Sequence, residues 1–269
     1  MTNRWSELFE SGTTNSWGAS ASRVTFGSSV IDDLAAGLVA HSQSVRRPVV
    51  VGCVYVFTSS VIAEALCKQE SSCIVVDKGN TEWRGQTYRA IATLNDRGQP
   101  LTSSYLPAFD LVSRRVDGKP AILGPQDFPL EDLELGPVRV AGYYGQDRPP
   151  LLHAKVAVCC EAWIGEDGFG YEQRGLRALR AWVGSANWTD KSREHREIGV
   201  WIDDREFAGH TLDFVAGVVL TSEPLGSHST RPTPELGEGD LDDDAFADYA
   251  AEFRLLDNAD EMDDLEEES

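Results

Sequence analysis

The strongest hydrophobic signal in the chain is residues 49–57, VVVGCVYVF, a continuous apolar run rich in β-branched side chains. Such a run suits a strand buried on both faces. Polar punctuation frames it. Before it, Ser28 or Ser29 caps a helix running to about Gln43, with Val30, Ile31, Leu34 and Leu38 as its apolar stripe. Arg46-Arg47-Pro48 ends that helix. After the run, Thr58, Ser59 or Ser60 caps a second helix, whose apolar side carries Val61, Ile62, Ala65 and Leu66. A second strand follows at residues 73–76 and ends at Asp77. Parallel neighbours need a helical crossover of this kind. The pattern therefore predicts an α/β fold, a mixed, mostly parallel β-sheet flanked by helices on both faces.

Residues 81–97 read as a third helix that buries Trp83, Tyr88, Ile91 and Leu94. Residues 98–137 are broken by Pro107, Pro120, Pro125, Pro129 and Pro137 and predict an irregular excursion with one hairpin. A short strand is expected at 138–143. Residues 151–158, LLHAKVAV, alternate apolar with polar or small positions and read as another strand. Residues 182–183 form a short apolar strand that breaks at Gly184-Ser185-Ala186-Asn187. Between these two, Gly165, Gly168, Gly170 and Gly175 predict a loop over 161–180. A short helix at 190–196, a strand at 198–202 and an amphipathic helix at 206–219 follow. Residues 221–240, rich in Ser, Thr, Pro and Gly, read as a linker. A last short helix over 245–256 puts Phe246, Tyr249, Phe253 and Leu256 on one side. The chain thus divides into an arm and helix (1–47), a main domain with insertions near 98–137 and 161–180 (48–222), and a largely disordered linker and tail (223–269). Within the arm, residues 1–27 are polar, with Trp5, Phe9, Trp17 and Phe26 as anchors.

Charge is uneven. The net charge is −20, but from Thr233 onward there are sixteen acids against one base, Arg254, and before it 28 acids against 23 bases. The acidity belongs mainly to the tail, so it does not exclude a polyanionic substrate for the body. The tail reads as a solubilising segment, and its aromatic residues also suit a protein partner or a basic surface. The five Cys are odd in number, lack a CxxC pair and sit mostly in apolar runs, which suits buried thiols in a reducing, cytoplasmic setting. No signal peptide is visible, and no apolar run approaches the roughly 20 residues of a membrane helix.

The candidate chemistry lies between residues 153 and 187. On a strand, residues two apart share a face, so His153 and Lys155 present an imidazole and an ammonium side by side. Gly184 lets backbone approach a ligand, and Ser185 and Asn187 offer short donors. One nucleophile or proton carrier and three anion-binding groups suit a phosphate.

These residues resemble the phospholipase D superfamily, whose signature is an H-x-K pair, an Asp five residues after the Lys, and a later G-S-x-N. His153-Ala154-Lys155 matches the first part and Gly184-Ser185-Ala186-Asn187 the last. The resemblance extends over 49–219, with an apolar strand before the His, Trp-Thr after the Asn, and Glu197-Ile198-Gly199-Val200 beyond. The signature Asp falls on Cys160. The stretch between the half-motifs is also longer than in the compact form, and lengthening a surface loop is thermodynamically mild.

The resemblance implies a metal-independent phosphodiesterase with no cofactor. Its histidine His153 attacks phosphorus, Lys155, Ser185 and Asn187 hold the non-bridging oxygens, and Glu197 orients the imidazole, with Glu194 the weaker candidate for that role. The chain has one H-x-K, and none of His41, His195, His210 and His228 is followed two residues later by Lys. A homodimer supplying a second His153 is therefore implied. Single-motif members are commonly nucleases, some in restriction or anti-phage defence, so nucleic acid is the expected substrate. A phospholipid phosphodiesterase or phosphatidyl transferase, and a non-catalytic phosphate- or partner-binding module, are the alternatives. Gly184, Arg174 and Arg177 are expected to contact substrate. Arg174, Arg177 and Arg180, three apart, would form one basic face on a helical turn, whereas the plainer reading is solvated surface charge.

Overall fold

In the computed structural model, residues 14–16 and 21–254 are described, apart from 108, 128–129, 131, 145–151, 167, 169, 171 and 253. The expectations for Trp5, Phe9, Trp17, Leu151, Phe253 and Leu256, and for the acidic end beyond residue 254, fall outside the described residues.

The nine strands of the central mixed sheet are β1 (Thr14–Ser16), β2 (Arg23–Phe26), β3 (Pro48–Val54), β4 (Ser71–Asp77), β5 (Val138–Ala141), β6 (Lys155–Glu166), β7 (Glu172–Gly184), β8 (Ile198–Ile202) and β9 (Glu223–Pro224). Their order across the sheet is β1-β2-β8-β7-β6-β3-β4-β5-β9. The expected parallel pairing holds at β3, β4 and β5. The other six ladders are antiparallel, so the sheet is mixed and not mostly parallel as expected. For β6 and β7 the reason is local: they are joined by a hairpin, and such a connection closes only an antiparallel pair. Residues 14–16 and 23–26, read as part of a loose arm, instead form one edge of the sheet.

Strand β3 is buried along its whole length, and its side chains divide between two cores. Val50 and Val54 join Ile74, Val76, Trp182 and Trp201 beneath α1 (Val30–Ser44), α2 (Ser60–Leu66) and α3 (Arg89–Arg97). Val49, Val51 and Cys53 face α4 (Arg205–Leu220), which contributes Leu212, Val215 and Val219. Burying a Val or Leu fully is worth about 1.5–3 kcal/mol, so this central strand anchors both layers. The helices lie close to their expected spans, with α1 carrying Val30, Ile31, Leu34 and Leu38 on its buried side. No helix among the described residues is long and apolar enough to cross a membrane.

Four further expectations are corrected. Residues 161–180 are not a loop: β6 and β7 continue as a long hairpin through Glu166 and Glu172. Gly175, counted as a loop signal, lies under the Trp163 ring, where a Cβ would come 2.8 Å from the indole. Second, the helix expected over 81–97 begins only at Arg89. Residues 82–87 form a small hairpin turned by Arg84 (φ 53°) and Gly85 (φ 76°), and Trp83 is exposed rather than buried. Third, the proposed linker is tied to the body. Leu236–Glu238 pairs with Val112–Arg114, and Asp240–Leu241 pairs with Ile122–Leu123. Glu223 forms a fully buried ion pair with Lys78, and its carboxylate also takes the Ser229 and Thr233 hydroxyls. Thus the proline-broken excursion pairs its own ends, Leu101–Thr102 with Glu134–Leu135, and finds its other strand partners more than a hundred residues later, in the C-terminal segment. Last, the short helix after Asn187 is a 3-10 turn, Asp190–Glu194, capped by the Thr189 hydroxyl.

Candidate active site

The ladder register brings the two half-motifs together. Lys155 pairs with Val54, Val156 with Val183, and Gly184 with Gly199. The end of β3, the start of β6, the end of β7 and the start of β8 therefore lie side by side at one end of the sheet. His153 precedes the first residue of β6 and is exposed, while Lys155 is 5% exposed. The two do not simply point outward in parallel, because the ammonium turns back on the imidazole. Lys155 Nζ donates to the His153 carbonyl at 2.7 Å and lies 3.2 Å from His153 Nδ1. An ammonium has only donors, so that contact uses the Nδ1 lone pair and leaves the hydrogen of the neutral ring on Nε2.

Tyr55, immediately beyond β3, packs against both groups. Its ring centroid is 5.0 Å from that of His153 and 5.5 Å from Lys155 Nζ. Sequence reasoning missed this residue. The available signal was an aromatic hydroxyl at the end of an otherwise apolar strand run. Burial lowers the Lys155 pKa from its ordinary value, opposed by the negative charge of Glu197 and the nearby Cys53. Burial pushes the Cys53 thiol up to about 12, against the pull of the Lys155 charge.

On the other side, Ser185 is fixed to β8. Its N–H donates to the Ile198 carbonyl at 3.0 Å, and its Oγ accepts the Ile198 N–H at 3.1 Å. The same hydroxyl donates to the Glu197 carboxylate. Glu197 therefore holds Ser185 here, rather than the His153 ring. Its carboxylate reaches Lys155 through charge. Glu194 and His195 are exposed near the end of the 3-10 turn.

Asn187 sits on a clamped loop. The next residue, Trp188, is fully buried and meets Phe57 edge-on at 5.6 Å. The Trp188 N–H donates to Val56 O, and Thr58 and Ser59 N–H groups both donate to Trp188 O at 2.9 Å. Ser192 Oγ donates to the Asn187 carbonyl at 2.8 Å. The backbone is thus held while Asn187 Oδ1 is buried with no partner among the described residues.

Gly184 has a different reason from the one expected. A Cβ there would lie 2.6 Å from the Ile198 carbonyl and 2.6 Å from the Trp182 ring, so the glycine admits a close strand contact. Arg174 and Arg177 are not brought to the site. Arg174 pairs across the hairpin with Ile164, nine residues along β6 from Lys155, which is about 30 Å at strand rise. It bonds Glu172 and Asp132, and Arg177 bonds Glu161. Arg180 lies 4.5 Å over the Trp201 ring and donates to Gly37 O. Their spacing of three makes a common face on a helix but not on a strand.

Cys160, at the signature Asp position, is fully buried, and its thiol is raised well above its ordinary range by burial. Its carbonyl and that of Val49 meet Nε2 of His41, whose own pKa burial lowers to about 4. The register shifts between Cys159 and Cys160 at this point, a β-bulge. Among the described residues, no three His, Cys, Asp or Glu side chains gather as a metal site.

No protein-family model and no curated protein matches the sequence. Among solved structures the chain is similar to NucT from Helicobacter pylori, with 14% identity and a TM-score of 0.46 over 79% of this chain and 100% of that one. It is similar to Nuc from Salmonella typhimurium, a phospholipase D family member, with 14% identity and a TM-score of 0.42 over 73% and 93%. It is also similar to polyphosphate kinase from Porphyromonas gingivalis, with 11% identity and a TM-score of 0.42 over 73% and 26%.

Proposed function

We propose that the protein is a metal-independent phosphodiesterase that cleaves nucleic acid through a phosphohistidine on His153. The observation that carries this reading is the meeting of two sequence-distant half-motifs at one end of the sheet, His153 and Lys155 on one side and Ser185, Asn187 and Glu197 on the other. A phosphodiester is an anion that resists nucleophiles. Lys155 and Asn187 neutralise and orient its non-bridging oxygens, and Ser185 and Gly184 shape the turn that presents them. An arriving phosphate draws the Lys155 ammonium off the His153 ring and frees a nitrogen lone pair.

That nitrogen attacks phosphorus. A P–N bond forms as the P–O bond to the leaving alkoxide breaks. A second histidine donates a proton to the alkoxide, then takes one from the water that attacks the phosphohistidine and releases His153. The chain's single H-x-K makes the second histidine the His153 of another copy, across a two-fold axis. Glu197 keeps Ser185 in place and supplies negative charge that maintains Lys155 as a cation.

The test incubates wild type and His153→Asn with single- and double-stranded DNA, RNA and phosphatidylcholine in EDTA. Nucleic-acid cleavage by wild type alone is expected, with a phosphohistidine trapped by an alkaline denaturing quench and lost on acid treatment. Lipid turnover alone, or binding without turnover, refutes the proposal.

A further inference from the structure

The hairpin of Glu82–Trp83 and Gln86–Thr87 takes no part in the chemistry above, yet it stands at the same end of the sheet. Val54 of β3 pairs with Val76 of β4, so Asp77 is level with Tyr55, and the chain runs from there through Lys78–Asn80 into the hairpin. Strand β4 lies two strand spacings, about 10 Å, from the strand that carries Lys155.

The hairpin is braced at its base and open at its tip. Tyr88 N–H donates to Thr81 O at 3.0 Å. The Glu82 carboxylate lies 3.5 Å from the Tyr144 hydroxyl and 3.0 Å from His228 Nε2, and the Tyr144 and His228 rings meet edge-on at 4.6 Å. At the tip, Arg84 and Gly85 hold the positive φ angles of a tight hairpin turn. Trp83 is 64% exposed, the highest value for a large hydrophobic side chain among the described residues. The Arg84 guanidinium lies 5.7 Å from its ring centroid. Local charge runs against the whole. Around the hairpin Arg84 and Arg89 are exposed, Lys78 is buried against Glu223, and the one acid of residues 78–94 is Glu82, which His228 engages, in a chain of net charge −20.

An indole held out on a braced turn offers a face to an unpaired base, and a guanidinium beside it meets the adjoining phosphate. A duplex keeps its bases stacked on one another and presents no such face. We infer that Trp83 and Arg84 form a stacking platform for a single strand of nucleic acid leading to His153. This rests on reading that site as a nucleic-acid phosphodiesterase, and it adds the strandedness of the substrate.

The test measures binding of a short fluorescent single strand, and of the matching duplex, to the full chain in a His153→Asn background. Adding Trp83→Ala is expected to weaken single-strand binding at least about fivefold, as loss of one base–aromatic stack does. Trp83→Phe should retain most of it, which separates lost stacking from a disturbed fold. Turnover of an oligonucleotide and of bis(p-nitrophenyl) phosphate is then compared with His153 intact. Trp83→Ala should lower the ratio of their kcat/KM values by a similar factor. Unchanged single-strand binding, no single-strand binding by the parent, or an equal loss on the duplex overturns the platform. Trp83-dependent binding without turnover of either diester by wild type leaves the platform standing and refutes the phosphodiesterase.

Discussion

Replacing Lys155 with Met should move activity and stability in opposite directions. The Lys155 residue is largely covered, and what holds its ammonium is one hydrogen bond to a carbonyl, the Nδ1 contact, the Tyr55 ring and the charge of Glu197. Taking a cation part of the way out of water costs up to several kcal/mol. A charged hydrogen bond returns about 1.5–3 kcal/mol and a cation–π contact about 0.5–2. The balance is near zero or unfavourable, in keeping with a Lys155 pKa lowered by burial. Met fills similar space without the charge, so Lys155→Met should melt within about 1 kcal/mol of wild type or above it. Activity should fall about 10²–10³-fold, the usual effect of removing one donor from a developing oxyanion.

The pH dependence gives the sign. The folded pKa lies below the unfolded one, so between them the unfolded chain binds more protons and stability rises with pH. Wild type should gain stability as pH rises from the folded Lys155 pKa towards the ordinary lysine value, and the Met variant should lack that gain. The assay pairs chemical denaturation across this alkaline range with kcat/KM on a small phosphodiester. A Met variant that is active, or destabilised by well over about 1 kcal/mol, refutes the account of a cation held at the site for chemistry rather than stability.

Four further outcomes follow. Arg174→Ala and Arg177→Ala should change kcat/KM less than about twofold, because their pairs are surface ion pairs at the far end of the hairpin; a tenfold loss would return them to the substrate. Cys160→Asp, which restores the signature residue, should cost several kcal/mol by denaturant titration, since the side chain is fully buried. A variant as stable as wild type would show that the site accommodates a carboxylate. Deleting 243–269 should raise nucleic-acid cleavage at low salt if the acidic tail competes with substrate, and unchanged rates would remove that idea. Deleting 233–269 should also lower stability, because it removes Glu235, which bonds Arg139 and Arg114, together with two strand pairings.

The centre of the fold was legible because its signal is local. An unbroken apolar run, framed by short polar residues and a proline, defines β3 and its helices whatever the rest of the chain does, although Ser29 and Ser59 stand at the helix starts without making the expected capping bond. The two half-motifs were equally legible as residue types, although their meeting depends on register, which the sequence does not print. The misread parts share one physical cause. Gly165 to Gly175 and Arg174 to Arg180 were read through single-residue preferences and helical spacing, whereas cross-strand partners decided their state. Trp163 over Gly175 and Glu161 beside Arg177 are pairings between residues 12 and 16 apart. The 221–240 stretch failed in the same way over a longer distance, since its strands exist only against 112–114 and 122–123.

Glu197 shows how far such reasoning reaches at the site itself. Its place after Asn187 was enough to put a carboxylate within reach of the Lys155 charge, but not to choose its hydrogen-bond partner. That choice is made by Ser185, whose backbone is paired with Ile198 and whose hydroxyl therefore faces the carboxylate. Lys155, meanwhile, lies against Nδ1 of the ring, so the ammonium and not the carboxylate holds the imidazole. Lys155 thus holds His153 while Glu197 holds Ser185, and on the proposed reading a phosphate that engages Lys155 competes with its contacts to His153. Catalysis on this account begins with an exchange of partners: the ammonium moves from imidazole to phosphate, and the imidazole becomes a nucleophile because of that exchange.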